Sequence, residues 1–300
     1  MRLLVTGANG QIGWELARSL MPLGHVTAMT RDTCDLARPD TLPQVIRDVR
    51  PDVLVNAAGY TAVDKAEREE ALATLVNATA VGVLAQTARE VGALLVHYST
   101  DYVFDGAKAE PYVEDDLPHP LNAYGRSKLA GETAIRDAGG DHLVLRTSWV
   151  FAARGHNFVN TILRLARERD ELRVVADQVG APTWARDVAD ATAQLVAGAQ
   201  QRRGAGQFSS DLLHMTAAGE TSWHGFAQAI LDRAGLPASS RPAVRAITTE
   251  EFPTPARRPR SSRLSCDRLR ERYGIALPHW TAGMAGCLAE RSHADAPGRP

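Results

Sequence analysis

The stretch TGANGQIG, Thr6 to Gly13, decides the fold. It follows a short apolar run, Arg2 to Val5, that reads as a β-strand, and it opens a segment of helical period. At such a junction each glycine has a task. Gly7 makes the tight turn off the strand, Gly10 lets the backbone approach a pyrophosphate, and Gly13 lets the helix pack closely on the sheet. The helix N-terminus adds oriented N–H donors. The spacing is GxxGxxG and not the commoner GxGxxG, so the position between a first strand and a first helix is what marks a dinucleotide site.

Outward from this loop the alternation continues. His25 to Thr30, Asp52 to Asn56, Ala93 to Ser99 and Leu143 to Arg146 read as further strands, with candidate helices between them. Strands separated by helices need crossovers, which predicts the α/β class: a doubly wound parallel sheet of Rossmann type, covered on both faces. Residues 1–148 form the expected dinucleotide-binding domain. After Trp149 the regularity declines. Asn157 to Arg169, Arg186 to Ala199 and Ser222 to Ala234 look helical, Gly206 to Ser209 reads as one more strand, and prolines punctuate the stretch from Pro237 to Pro259. Residues 149–291 are therefore expected to be a smaller substrate lobe interleaved with the last elements of the sheet, and 292–300 a flexible tail.

Composition narrows the function classes. The 300 residues are 44% apolar with a formal net charge of -1, enough for a substantial core and too balanced for an electrostatic grip on nucleic acid or a membrane surface. Cys34, Cys266 and Cys287 form no CxxC pair and no two histidines fall within one helical turn, so no metal is expected. The N-terminus meets a glycine cluster where a signal peptide would need its apolar stretch. No later segment approaches about 18 uncharged apolar residues, and a cytoplasmic protein is expected.

Chemistry gathers at the predicted strand ends, where open α/β sheets bind ligands. After the second strand, Thr30 and Arg31 replace the acid that would hold an adenosine ribose, and Asp35 with Leu36 comes next, where adenine would lie. The third strand ends in NAAGYT, whose Ala57, Ala58 and Gly59 are small enough for a cofactor ribose to pack against. Ser99 and Thr100 end the fourth strand, and YGRSK places Tyr124 and Lys128 on one helix face. A lysine ammonium beside a phenol is expected to lower its pKa from about 10, making a tyrosine that can deliver a proton. Thr100 can hydrogen-bond the same carbonyl oxygen. Taken singly, Tyr124 and Lys128 would read as a surface patch; with the glycine loop and the strand-end pair they read as a reductase site. Trp149 suits either stacking on a deoxyhexose or a place in the core, and Arg257 and Arg258 suit either a diphosphate or a solvated loop.

TGANGQIG, NAAGYTAVDKAE, STDYVFDG, YGRSKLAGE, RTSWVF, APTWARDVA and TPARRPRSSRL, in this order from Met1 to about Glu290, resemble the dTDP-4-dehydrorhamnose reductase family of extended short-chain dehydrogenases/reductases. The resemblance implies reduction of the C4 ketone of dTDP-4-dehydro-β-L-rhamnose by NADPH or NADH. It gives Thr100, Tyr124 and Lys128 the catalytic roles and directs Thr100, Asp101, Tyr102, Trp149 and Arg257 towards the dTDP-sugar. It lines the cofactor site with Gly10, Gln11, Ile12, Gly59, Tyr60, Thr61 and Tyr98, beside Gly7, Gly13, Tyr124 and Lys128. A homodimer is compatible with it. Glu15 matches a carboxylate that some relatives use in Mg²⁺-bridged dimers, but Arg186 stands where a second acid would be wanted. Asn77 matches a buried helix asparagine of the family, or is a core amide satisfied by backbone. Two rivals share the fold: a regulatory subunit resembling the methionine adenosyltransferase β subunit, against which Thr100, Tyr124 and Lys128 argue, and a nucleotide-sugar epimerase or dehydratase, whose expected glutamate beside the threonine is Asp101 here.

Overall fold

A computed structural model of the chain describes residues 1–237 and 241–294. The five predicted strands form as β1 (Arg2–Thr6), β2 (His25–Met29), β3 (Val53–Asn56), β4 (Leu94–Thr100) and β5 (His142–Thr147). With a sixth, β6 (Asp211–His214), they make one parallel sheet in the order β6-β5-β4-β3-β1-β2. Every residue of β3 and β4 is buried, as a sheet covered on both faces requires. The strand order reverses between β1 and β3, so a crevice opens beyond the carboxyl ends of these two strands.

Helices α1 (Gln11–Ser19) and α6 (Ala185–Gly204) cover one face, packing Leu16, Leu20, Val188, Leu195 and Val196 on Leu3, Val5, Val55 and Val96. Helices α2 (Leu42–Val49), α3 (Ala80–Glu90) and α4 (Ala123–Ala138) cover the other through Ile46, Val81, Leu84 and Ile135. A third cluster holds the second half of the chain together. There α5 (Phe158–Leu165), α7 (Trp223–Arg233) and α8 (Trp280–Ala294) bury Phe151, Ile162, Phe226 and Trp280. The predicted helices begin where side chains can accept the first free N–H groups: Asn157 from Asn160 N and Ser222 from Gly225 N.

Three expectations need correction. The sixth strand is not Gly206 to Ser209. Gly206 sits at φ +68, ending the helical run, and residues 207–210 are spent turning the chain back to the sheet edge before Asp211 pairs with Leu143. The last helix continues through Ala294, so the tail expected from 292 is helical for three more residues, and 295–300 lie outside the described residues. Finally, Glu70–Glu90 is a helical run apolar and long enough to cross a membrane by composition, yet Val76, Val81, Leu84 and Ala88 from it are buried in the core.

Arg186 settles into a specific place. Its Nε donates to Glu15 Oε2 at 3.1 Å, and a second guanidinium nitrogen lies 2.8 Å from Glu290, so the guanidinium bridges two carboxylates from α1 and α8.

Candidate active site

The glycine loop is shaped by close backbone approach. Gly7 adopts φ +71, and a Cβ there would stand 2.7–2.8 Å from the backbone of Ala57 and Ala58; a Cβ on Gly13 would stand 2.0 Å from Gly7 O. Both positions are closed to any side chain. Gly10 differs: its Cβ would meet only Gly7 O, at 3.2 Å, which leaves its outer side open for a ligand. Gly10 also caps α1, no side chain among the described residues satisfies the first turn, and no acid lies in it, so the N–H groups of Gln11, Ile12 and Gly13 face outward for an anion. The side-chain Oε1 of Gln11 is buried without a partner among the described residues. A dinucleotide pyrophosphate fits this arrangement.

The rest of the crevice matches the sequence reading unevenly. The loop Gly59 to Thr61 is clamped by Asn77, whose Oδ1 accepts from Tyr60 N (2.8 Å) while its Nδ2 donates to Tyr60 O (2.9 Å) and Ser127 Oγ (2.9 Å). Asn77 lies in a π-helical turn, Leu75–Thr79, that aims its amide at this loop. Tyr60 donates its hydroxyl to Glu69. Thr30 is half-buried, and Arg31 is exposed with its guanidinium free among the described residues. Asp35 accepts from Ala37 N, and the Leu36 side chain is in the core, so of Leu36 only backbone is left for a ligand. Tyr98 also departs from expectation. Alternation along β4 turns His97 and Ser99 towards α4 and Tyr98 to the opposite face, where its hydroxyl meets Thr192 of α6 at 2.7 Å. What Tyr98 presents to the site is its carbonyl.

Thr100, Tyr124 and Lys128 come together at the carboxyl end of β4. Asn122 sets the entry of α4: its Oδ1 accepts from Gly125 N and its Nδ2 donates to Arg257 O, each at 2.8 Å. The Tyr124 ring stands edge-on to Tyr102 at 5.9 Å. Burial pushes the Tyr124 phenol up to about 12, against hydrogen bonding with Thr100, which draws it down, and Asp101, whose charge raises it further. The expected depression of this pKa by Lys128 is therefore corrected. Lys128 Nζ is engaged elsewhere, with Tyr98 O at 2.6 Å and His97 Nε2 at 3.1 Å, and burial brings it down to about 8. Tyr124 thus keeps its proton at neutral pH, the state a proton donor needs. Asp101 accepts from Thr100 Oγ1 at 3.0 Å, and burial pushes its carboxyl up to about 6 against hydrogen bonding with Ser262 and Thr100, which draws it down.

The predicted sugar contacts separate on inspection. Trp149, at the unusual φ of +47, stacks on Trp223 with ring centroids 3.5 Å apart, while a Cβ on Gly180 would stand 2.7–3.0 Å from three indole atoms. The ring face that meets Trp223 is closed to a sugar, and Gly180 lies against the indole at its Nε1 side. Of the paired arginines, Arg258 is bound to Asp64 (2.8 Å) and tied to Thr254. Arg257 is exposed, with its guanidinium free of partners among the described residues.

The family model described as RmlD substrate binding domain matches residues 1–293. A dTDP-4-dehydrorhamnose reductase of Burkholderia thailandensis is 56% identical over 97% of this chain and 99% of its own length. The chain belongs to the dTDP-4-dehydrorhamnose reductase family. The Escherichia coli K12 dTDP-4-dehydrorhamnose reductase is 44% identical over 97% of this chain and 98% of its own. The crystal structure of the Bacillus anthracis dTDP-4-dehydrorhamnose reductase in complex with NADP superposes with a TM-score of 0.87 at 34% identity, covering 96% of this chain and 99% of that one.

Sequence reasoning about this family member misses the buried polar groups behind the site. Asn56 ends β3 and His97 lies in the middle of β4, but an apolar strand pattern gives no sign that the two form a hydrogen-bonded pair. Glu132 lies in YGRSKLAGE with no role legible from the motif; it accepts from Arg146 of β5 (2.6 and 2.9 Å) and from Ser99 of β4 (2.5 Å), pinning α4 to the sheet. Trp223 becomes recognisable only once the lobe is folded against Trp149.

Proposed function

We propose that this site reduces the C4 ketone of dTDP-4-dehydro-β-L-rhamnose to dTDP-β-L-rhamnose, with Tyr124 as the proton donor. The carrying observation is the meeting of Thr100, Tyr124 and Lys128 beside a glycine loop open only at Gly10, in a chain of this family. NAD(P)H, when bound, supplies the hydride. Thr100, its hydroxyl turned from Asp101 to the substrate, polarises the ketone oxygen, and Tyr124, protonated at neutral pH, delivers its proton to that oxygen as charge develops there. Lys128 holds the nicotinamide ribose. Arg257 is the arginine available to the substrate diphosphate, and Asp101 with Tyr102 bounds the sugar. The test is consumption of NADPH by purified protein only when a dTDP-4-keto-6-deoxysugar is added, with NMR identification of the product. Consumption without the sugar, or none with it, overturns the reading. Intact catalytic side chains disfavour the regulatory-subunit alternative, and the same assay excludes or establishes it.

Thr30 and Arg31 bear on cofactor choice. Thr30 follows β2 where an acid would repel a 2′-phosphate, and the Arg31 guanidinium, free among the described residues, can pair with one. NADPH is expected to exceed NADH in kcat/KM by on the order of tenfold, and the combined change Thr30→Asp with Arg31→Ala should reverse the order. A wild-type preference for NADH, or an unmoved ratio, makes both residues bystanders.

Trp149→Ala is expected to raise KM for the sugar nucleotide by about tenfold with little change in KM for NADPH. Equal losses for both ligands, or a large fall in Tm, would show that the stack on Trp223 serves the core alone.

A further inference from the structure

Thr6, Asn56 and His97 are register partners on three adjacent strands, β1, β3 and β4, and all three are fully buried. Their side chains form one hydrogen-bonded row. Thr6 Oγ1 donates to Asn56 Oδ1 (2.6 Å), Asn56 Nδ2 faces His97 Nδ1 (2.9 Å), and His97 Nε2 faces Lys128 Nζ (3.1 Å).

The row has a direction, and backbone sets it. Ala58 N, which can only donate, points at the Asn56 side-chain oxygen at 3.2 Å, so the amide cannot be reversed without leaving a buried N–H opposite an NH₂. Asn56 Nδ2 is therefore the donor and His97 Nδ1 the acceptor. A neutral imidazole carries one N–H, which must then be on Nε2, directed at Lys128. Burial first, and the Lys128 charge second, hold the His97 pKa well below its usual range, so the ring stays neutral. An N–H aimed at Nζ can be accepted by an amine lone pair but not by an ammonium.

We propose that His97 is a positioning residue that reads the charge of Lys128, holding the amine on its Nε2–H and releasing the ammonium to the Tyr98 carbonyl and the cofactor ribose. The inference rests on the assignment of Lys128 to the reaction. The other groups facing Lys128 leave His97 as the discriminating one. On its own helix Tyr124 is neutral, and Glu132, bound to Arg146 and Ser99, raises the Lys128 pKa through its charge without touching Nζ; from the sheet, among the described residues, come the Tyr98 carbonyl and the imidazole. Because burial brings Lys128 down to about 8, both of its forms are reached on either side of mildly alkaline pH. Above that point the amine locks onto His97 and turnover falls.

Two measurements on the full chain test this. In protein labelled with ¹⁵N in the histidine rings, long-range ¹H–¹⁵N correlation reads the tautomer without any turnover. His97 should carry its proton on Nε2 throughout the range from about pH 6 to pH 9, and an Nδ1–H tautomer overturns the proposal. Second, the alkaline fall in kcat/KM for NADPH should move upward by about one pH unit in His97→Phe, since a hydrogen bond to the neutral amine has been removed. His97→Gln, whose amide N–H reaches the Nε2 position, should return the fall towards its wild-type place. A His97→Phe profile that matches wild type sinks the idea; if that variant does not fold, the tautomer and the His97→Gln profile decide. Full turnover by Lys128→Met would instead overturn the role of the lysine, leaving the tautomer result standing.

Discussion

Tyr124→Phe is expected to lower kcat by roughly 10²- to 10⁴-fold while leaving NADPH affinity nearly unchanged. The ring keeps its edge-on contact with Tyr102 and the helix keeps its cap at Asn122, so only the transferable proton is lost. The environment sharpens this expectation. Burial and the Asp101 charge push the phenol up to about 12, so the wild-type group keeps its proton at neutral pH. Single-turnover measurement of NADPH oxidation with the 4-keto sugar checks the size of the loss. Near-wild-type turnover would remove Tyr124 from the role of acid.

Glu132→Ala is expected to be the most destabilising single change near the site, by about 3–5 kcal/mol. The substitution removes both oxygens that receive Arg146 and the acceptor of Ser99, stranding a guanidinium that is 3% exposed beneath the ring of Phe104. A buried cation without a counter-charge cannot recover its hydration, which makes breaking the pair far costlier than never having had it. Urea unfolding should show a lower midpoint with an unchanged slope. A change below about 1 kcal/mol would mean that water reaches Arg146 and that the pair is no buried clamp. The consequence for function is indirect: α4 carries Tyr124 and Lys128, and Glu132 is one turn beyond the lysine, so the same loss should lower activity at temperatures where the protein remains folded.

The sheet was legible because its physics is local. Apolar runs bounded by glycine, and helical periods between them, needed no partner to be recognised, and all five predicted strands form. The sixth was displaced because short polar segments beside a glycine look alike whether they turn or extend; pairing with β5 decided for Asp211–His214. Helix-face geometry likewise put Tyr124 and Lys128 together from their spacing alone. It could not say which neighbour would claim the lysine, since His97 lies 31 positions away along the chain.

Sequence by itself determined the fold class, the glycine loop, the sharing of one helix face by Tyr124 and Lys128, and the family, because each depends on residue type at short spacing or on motif order. Tertiary structure alone decided their states. It turned Tyr98 away from the crevice by strand alternation, stacked Trp149 on Trp223, freed Arg257 while binding Arg258 to Asp64, and set the protonation of Tyr124 and Lys128 through burial. The physical reason is common to all four. Desolvation and pairing are properties of what surrounds a group in space, and those surroundings are assembled from segments that the chain brings together only when it folds.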